Sequence, residues 1–172
     1  MKVTLYMAIT ANGMIARKDG NSDWPSPEDL KSFNSICRKA GVVIMGRKTF
    51  DSFKETDISD WPNADSVHVV LTHQNHLDTK HPNIKLARSP KEALEMASRD
   101  GKNEVVICGG SQTFGVFMKE NLVDEIYMDI EPLFFGEGMP AFNAGGFEAE
   151  LELLGSKSLS DQTIQLHYKV VK

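Results

Sequence analysis

The sequence predicts a single α/β domain built on a mainly parallel, twisted sheet with flanking helices. Short apolar strands alternate with amphipathic helices along most of the 172 residues, the pattern that crossover connections between parallel strands produce. Two long alternating segments near the C-terminal end add an antiparallel pair. With 41% hydrophobic and 25% charged residues, the chain has enough apolar surface to offset the entropy of ordering it. No internal repeat, linker or low-complexity tract divides residues 1–172, so one domain is expected.

Residues 3–9 read as a buried strand, followed by a polar stretch punctuated by glycine from 10 to 21. Ser26-Pro27-Glu28-Asp29 opens a helix with a serine N-cap, proline at the first helical position and an acid three residues after the cap. Leu30, Phe33, Ile36, Cys37 and Ala40 supply its apolar stripe, and Gly41 ends it. Val42-Val43-Ile44-Met45 is a continuous apolar run, as a strand covered on both faces requires. Gly46-Arg47-Lys48-Thr49-Phe50 then turns into a short helix. Residues 67–71 form the next strand, interrupted only by His68, and a loop follows from 72 to 83. Ser89-Pro90-Lys91-Glu92 repeats the cap, proline and acid signature, Ala93, Leu94, Met96 and Ala97 give the stripe, and Gly101 closes the helix. Residues 104–108 are a buried strand running into Gly109-Gly110-Ser111 and a helix carrying Phe114, Phe117 and Met118. Residues 124–130 are again a strand, and 148–156 with 162–171 are the antiparallel pair.

Composition narrows the function classes. Nineteen Lys+Arg against 24 Asp+Glu leave a net charge of −5, with no basic stripe of the kind nucleic-acid binding demands. No apolar run approaches the roughly 20 residues that cross a bilayer, and residues 1–9 are too short an apolar core for a signal peptide. Two cysteines, Cys37 and Cys108, cannot make a disulfide framework, so a reduced, cytoplasmic setting is expected. His68, His73, His76 and His81 cross a strand end and a loop without a helical or hairpin frame, which suits a solvated loop better than a metal centre. No Gly-x-Ser-x-Gly elbow is present to support a nucleophilic serine.

Ligands of open α/β sheets bind beyond the carboxyl ends of strands. Two strand ends here run through glycine straight into a helix: Met45-Gly46-Arg47-Lys48-Thr49 and Cys108-Gly109-Gly110-Ser111-Gln112-Thr113. Glycine allows close backbone approach, and helix-initial N–H groups favour an anion. Two such ends suit a dinucleotide, although both glycines can equally serve only as tight turns. Asp29 likewise has two readings. It occupies the acid position of a capping box, and with Trp24, Pro25 and Pro27 around it a desolvated carboxyl would hold a proton for delivery.

Taken together, these pieces resemble the dihydrofolate reductase superfamily, which includes the reductase half of the bifunctional riboflavin-biosynthesis deaminase–reductase. The resemblance runs over residues 3–142. It rests on Met7-Ala8-Ile9 through Gly13-Met14-Ile15-Ala16, Trp24 with Asp29, residues 43–50 with Met45-Gly46-Arg47-x-Thr49-Phe50 as the most specific part, and Val106-Ile107-Cys108-Gly109-Gly110-Ser111. Leu122-Val123-Asp124-Glu125-Ile126 with Pro132-Leu133-Phe134-Phe135-Gly136-x-Gly138-x-Pro140 is more similar to the riboflavin branch and to some of the divergent folate reductases. The resemblance implies an eight-stranded sheet and NADPH as hydride donor. It implies that Gly46, Arg47, Lys48 and Thr49 hold cofactor phosphates. Leu71, Thr72 and His73 would lie at the adenosine 2′-phosphate, and Cys108, Gly109, Gly110 (with a cis Gly109–Gly110 bond), Ser111, Gln112 and Thr113 at the pyrophosphate. Ala8 and Ile15 would line the nicotinamide, under a loop over residues 13–24. Asp29 would be the acid of the substrate pocket, shaped by Trp24 and lined by Met7, Phe33, Phe53 and Asp129. No metal is implied.

Two departures bear on the substrate. Folate reducers place an arginine just before the strand at 67–71 to clamp a glutamate tail; here the stretch is Asn63-Ala64-Asp65-Ser66, and a bidentate arginine is hard to replace. Asp129 stands where folate reducers usually carry threonine. The expected activity is therefore NADPH-dependent reduction of a small pyrimidine or pterin, of the 5-amino-6-(5-phosphoribosylamino)uracil reductase type, ahead of dihydrofolate reduction. A nucleotide-binding module without catalysis is the contrasting class. No zinc-ligating deaminase motif is present, and a homodimer through the C-terminal strands is implied by the riboflavin-type relatives.

Overall fold

A computed structural model describes residues 1–53, 65–79, 81, 83–143 and 146–172. Along the chain run β1 (Lys2–Thr10), β2 (Met14–Arg17), α1 (Pro27–Ala40), β3 (Val42–Gly46), α2 (Arg47–Phe53), β4 (Val67–Leu71), β5 (Ile84–Ala87), α3 (Pro90–Arg99), β6 (Glu104–Gly109), α4 (Ser111–Lys119), β7 (Glu125–Glu131), β8 (Gly138–Pro140), β9 (Leu151–Ser158) and β10 (Ile164–Val170). Eight strands form one sheet in the order β5-β4-β3-β6-β1-β7-β10-β9, and β2 pairs with β8 in a separate ribbon. Every pairing from β5 to β7 is parallel, while β10 runs antiparallel to both β7 and β9. The mainly parallel sheet with an antiparallel pair at its C-terminal end is the architecture that the alternation of elements predicts.

The period of two in each strand sorts the core onto two faces. Val3, Leu5, Met7, Ile44, Val69, Val105 and Ile107 pack with Ala93 and Ala97 of α3 and Phe114 and Phe117 of α4. Tyr6, Val43, Met45, Val70 and Val106 pack instead with Cys37 and Ala40 of α1 and Phe50 of α2. Ser26 and Ser89 cap α1 and α3 as expected, each accepting from the backbone N–H three residues on. Among the described residues no helix is long and apolar enough to cross a membrane.

Several elements differ from expectation. β2, β5 and β8 are three or four residues long, too short for a periodic signal, and lie in segments with no assigned structure. β9 begins at Leu151 rather than 148 and ends at Ser158. In α1 the first-turn position turned to the core is Asp29, at 5% exposure, whereas Leu30 is 52% exposed. Asp29 lies four residues before Phe33 and eight before Cys37, so it is the polar start of the same stripe. Asn63 and Ala64 lie outside the described residues; Asp65 is exposed and Ser66 buried.

Adjacent β3 and β6 bring the two glycine-bearing strand ends together, Met45 pairing with Gly109. The Gly109–Gly110 peptide is cis, and Gly109 has φ +136°. A Cβ at Gly46 would lie 2.5 Å from Thr113 Oγ1. Gly46→Ala is therefore expected to destabilise the fold by about 1–3 kcal/mol, the usual cost of overpacking. Denaturant unfolding in a Thr113→Ala background should show a smaller penalty, because the clashing hydroxyl is gone.

Candidate functional site

The C-terminal edge of the sheet carries two arrangements on either side of β1. The first is the glycine cradle of β3 and β6. Thr49 Oγ1 would sit 3.3 Å from a Cβ at Gly110 and 3.4 Å from one at Gly109, nearer than the Thr49 methyl and the Phe114 ring at 3.8 and 4.0 Å, so hydroxyls make the closest approach to the glycine turns. α4 differs from α1 and α3 in its start: Gly110 is its N-cap, and no side chain accepts from its first turn. Its leading N–H groups are thereby left for another acceptor. Ser111 Oγ donates to the Pro140 carbonyl at 2.9 Å, tying this turn to β8. Arg47 sits beside the cradle with Nε donating to Asp51 at 2.6 Å. Lys48, His73 and Gln112 are exposed, while Thr72 and Thr113 are buried.

Sequence reasoning missed Arg88, at the end of β5. Its Nη1 donates to the Thr72 carbonyl at 2.9 Å, and its other Nη to Asn75. A second guanidinium therefore stands over the strand end already expected to carry Thr72 and His73. Recognising β5 would have placed it there.

The second arrangement lies between β1, β7, β10 and α1. Register aligns Ala8 with Asp129, and Asp129 with Gln165, so Tyr6, Asp129, Glu131 and Gln165 rise from one face toward the start of α1. Ser26 donates from its backbone N–H (3.0 Å) and its hydroxyl (2.7 Å) to one oxygen of Glu131, and Thr163 Oγ1 donates to the other at 3.0 Å. The N-cap N–H that a capping-box acid would take is thus held by Glu131 from another strand. Asp29 still donates its backbone N–H to Ser26 Oγ at 3.2 Å. Its carboxyl turns instead to Tyr6, whose hydroxyl lies 3.1 Å from Asp29 Oδ1 and 2.6 Å from Asp129 Oδ2. Gln165 Nε2 donates at 2.8 Å to both Asp129 Oδ1 and Ser32 Oγ. Burial, with the Asp129 carboxylate beside it, pushes Asp29 up to about 8. Burial also raises Asp129, against hydrogen bonds from Tyr6 and Gln165 that favour its charged form.

Phe33 packs on Tyr6 with centroids 4.9 Å apart, and Phe53 joins the same apolar cluster. Met7 lies in the core on the opposite face of β1. Trp24 stands edge-on to Phe135 at 5.5 Å, with its buried Nε1 making no hydrogen bond among the described residues. Ile15, on β2, and Ala8, on β1, are both partly exposed.

The proton on Asp29 makes stability depend on pH. Its ordinary value is 3.8 and its folded value about 8, so between these the folded chain binds more protons than the unfolded chain. Stability then falls as pH rises through that window. Urea unfolding of Asp29→Asn between pH 4 and 8 should show a visibly flatter pH dependence than the parent.

The sequence and fold are similar to those of known proteins. The chain is 30% identical to the uncharacterized protein YwjB of Bacillus subtilis (strain 168), covering 97% of each chain. Among solved structures, a Shewanella sp. PV-4 protein whose name provisionally assigns it to riboflavin biosynthesis has a TM-score of 0.86 at 25% identity, with both chains fully covered. Acinetobacter baumannii RibD superposes with a TM-score of 0.82 at 20% identity, over 99% of this chain and 58% of that one. The family model described as RibD C-terminal domain matches residues 1–165, and the chain belongs to that family.

Proposed function

We propose that this chain is an NADPH-dependent reductase of a small heterocycle, of the type that reduces a ribosylated aminopyrimidine in riboflavin biosynthesis. The observation that carries the reading is the pairing of a glycine cradle with a buried acid released from its capping duty, on either side of one strand. Membership of the RibD C-terminal family supports the same reading.

The residues present fit the cofactor. Gly46 leaves no room for a side chain, and the uncapped first turn of α4 offers N–H groups to a phosphate. Gly46, Arg47, Lys48, Thr49 and the turn from Cys108 to Thr113 would hold the phosphates, and Leu71, Thr72, His73 and Arg88 the adenosine end. Ala8 and Ile15 would line the nicotinamide, which supplies the hydride when bound. Asp29 holds a proton at neutral pH for the substrate ring, with Asp129 and Phe33 shaping the wall around it. Trp24, with its unpaired Nε1, offers one further donor to a ligand. Just before β4, Asp65 and Ser66 provide no cation for a glutamate tail. A homodimer through β9 belongs to the same reading, since this edge strand exposes Leu151, Leu153 and Leu154.

Single-turnover oxidation of NADPH tests the activity directly. Turnover with the ribosylated aminopyrimidine and little with dihydrofolate is expected; the reverse would make the chain a folate reducer, and neither would leave a binding module. Asp29→Asn should keep NADPH affinity within a few fold while turnover falls on the order of 10²-fold or more, the scale of general acid catalysis. For the cofactor, Arg47→Ala and Arg88→Ala should each weaken NADPH by roughly ten- to a hundred-fold, the worth of one charged hydrogen bond. NADH affinity should barely change, as fluorescence titration of both nucleotides would show.

A further inference from the structure

We infer that the Tyr6 hydroxyl decides which member of the buried carboxyl pair carries the proton, keeping Asp129 as the resident anion and Asp29 as the neutral acid. Tyr6 is then a positioning residue, acting through Asp129 and Asp29. The inference rests on the reading of this site as a substrate pocket.

The argument is a count of hydrogens. Tyr6 Oη has one hydrogen and three acceptors in reach: Asp129 Oδ2 at 2.6 Å, Asp29 Oδ1 at 3.1 Å and the Asp29 carbonyl at 3.1 Å. The first distance is that of a hydroxyl bonded to an ionised carboxylate, about 2.5–2.7 Å, and takes the hydrogen. The other Asp129 oxygen accepts from Gln165 at 2.8 Å. Both oxygens of Asp129 therefore hold donors, the pattern that stabilises the charged form. Asp29 Oδ1 meets a tyrosine oxygen whose hydrogen points elsewhere. That contact is attractive only when the Asp29 carboxyl carries a hydrogen and donates it. The other hydrogen-bond partner of the Asp29 carboxyl among the described residues is the Asp129 carboxyl itself, and a proton on Asp29 makes that contact favourable while it stabilises the Asp129 anion.

The remaining neighbours favour the same assignment. Glu131, on β7, is occupied by Ser26 and Thr163, and its charge works against a second anion at Asp29. Ser32 of α1 accepts from Gln165 and also lies beside Tyr6. Among the described residues no lysine or arginine pairs with Asp29, Asp129 or Glu131, so the pair keeps one proton between its two carboxyls. Tyr6 itself stays protonated, because burial and the two aspartates raise it.

Carbon-13 NMR of aspartate-labelled protein, free of substrate and cofactor, reads the two carboxyls separately, with Asp29→Asn fixing the assignment. At pH 6.5 the wild-type spectrum should show Asp29 protonated and Asp129 ionised. Tyr6→Phe, which preserves the ring, should raise the pH at which Asp129 takes its proton by roughly one unit or more, since the anion loses a donor. A wild-type spectrum with Asp129 protonated and Asp29 ionised overturns the inference, whether or not the variant folds. So does a Tyr6→Phe protein whose Asp129 titration is unmoved. Failure of NADPH turnover would remove the reductase reading without moving these signals, so the two can fail independently.

Discussion

The first turn of α1 needs an acceptor for the Ser26 N–H, and Glu131 reaching over from β7 provides it. A helix start left without partners costs stability, and a capping box would ordinarily recruit the acid three residues after the cap. Here that acid is Asp29, and it is relieved of the task. Its carboxyl is free to turn inward, where it meets Tyr6 and a second buried carboxyl rather than water. Much of the site's character follows: the raised affinity of Asp29 for a proton, the satisfied anion at Asp129, and the crowding of three acids with no cation between them among the described residues.

This arrangement exists because the sheet sets a register. β1 lies between β6 and β7, so its C-terminal half has the glycine cradle on one side and the acids on the other. α1 covers the face that carries Tyr6, Asp129 and Gln165, and the helix opened by Ser26 points its first turn at them. The proposed hydride transfer to a ring would need donor, ring and proton source in fixed relative positions, and a parallel sheet with two adjacent strand ends supplies such a frame from backbone alone. The strands themselves are held by close packing on both faces, with Ile44, Met45 and Ile107 fully buried.

Much of the fold was legible because its signals are local. Continuous apolar runs marked β3 and β6, and the serine–proline–acid signatures marked α1 and α3 with their caps. β2, β5 and β8 were not, since three or four half-exposed residues carry no period. The site divides in the same way. Gly46, Gly109, Gly110 and Asp29 stand out by position in their own segments. Tyr6, Glu131, Gln165 and Arg88 do not, because each acquires meaning only from a neighbour across the sheet or over a loop. Tyr127, Asp129 and Glu131 at a spacing of two were the one hint that β7 presents a polar face to the inside.

The hydrogen bonds of Glu131 and Gln165 also fix when the site can come into being. Ser26 and Thr163 meet at Glu131 across 137 residues of chain, and Ser32 meets Gln165 across 133. Contacts of such separation form late, since closing long loops precedes any gain from them. A nascent chain could complete the glycine cradle once β6 and α4 have emerged, yet its acids would remain without Thr163 and Gln165 until β10 docks against β7. The glycine cradle and the proton-holding half are thus acquired in sequence during synthesis, and the second is gated by the arrival of a single antiparallel strand.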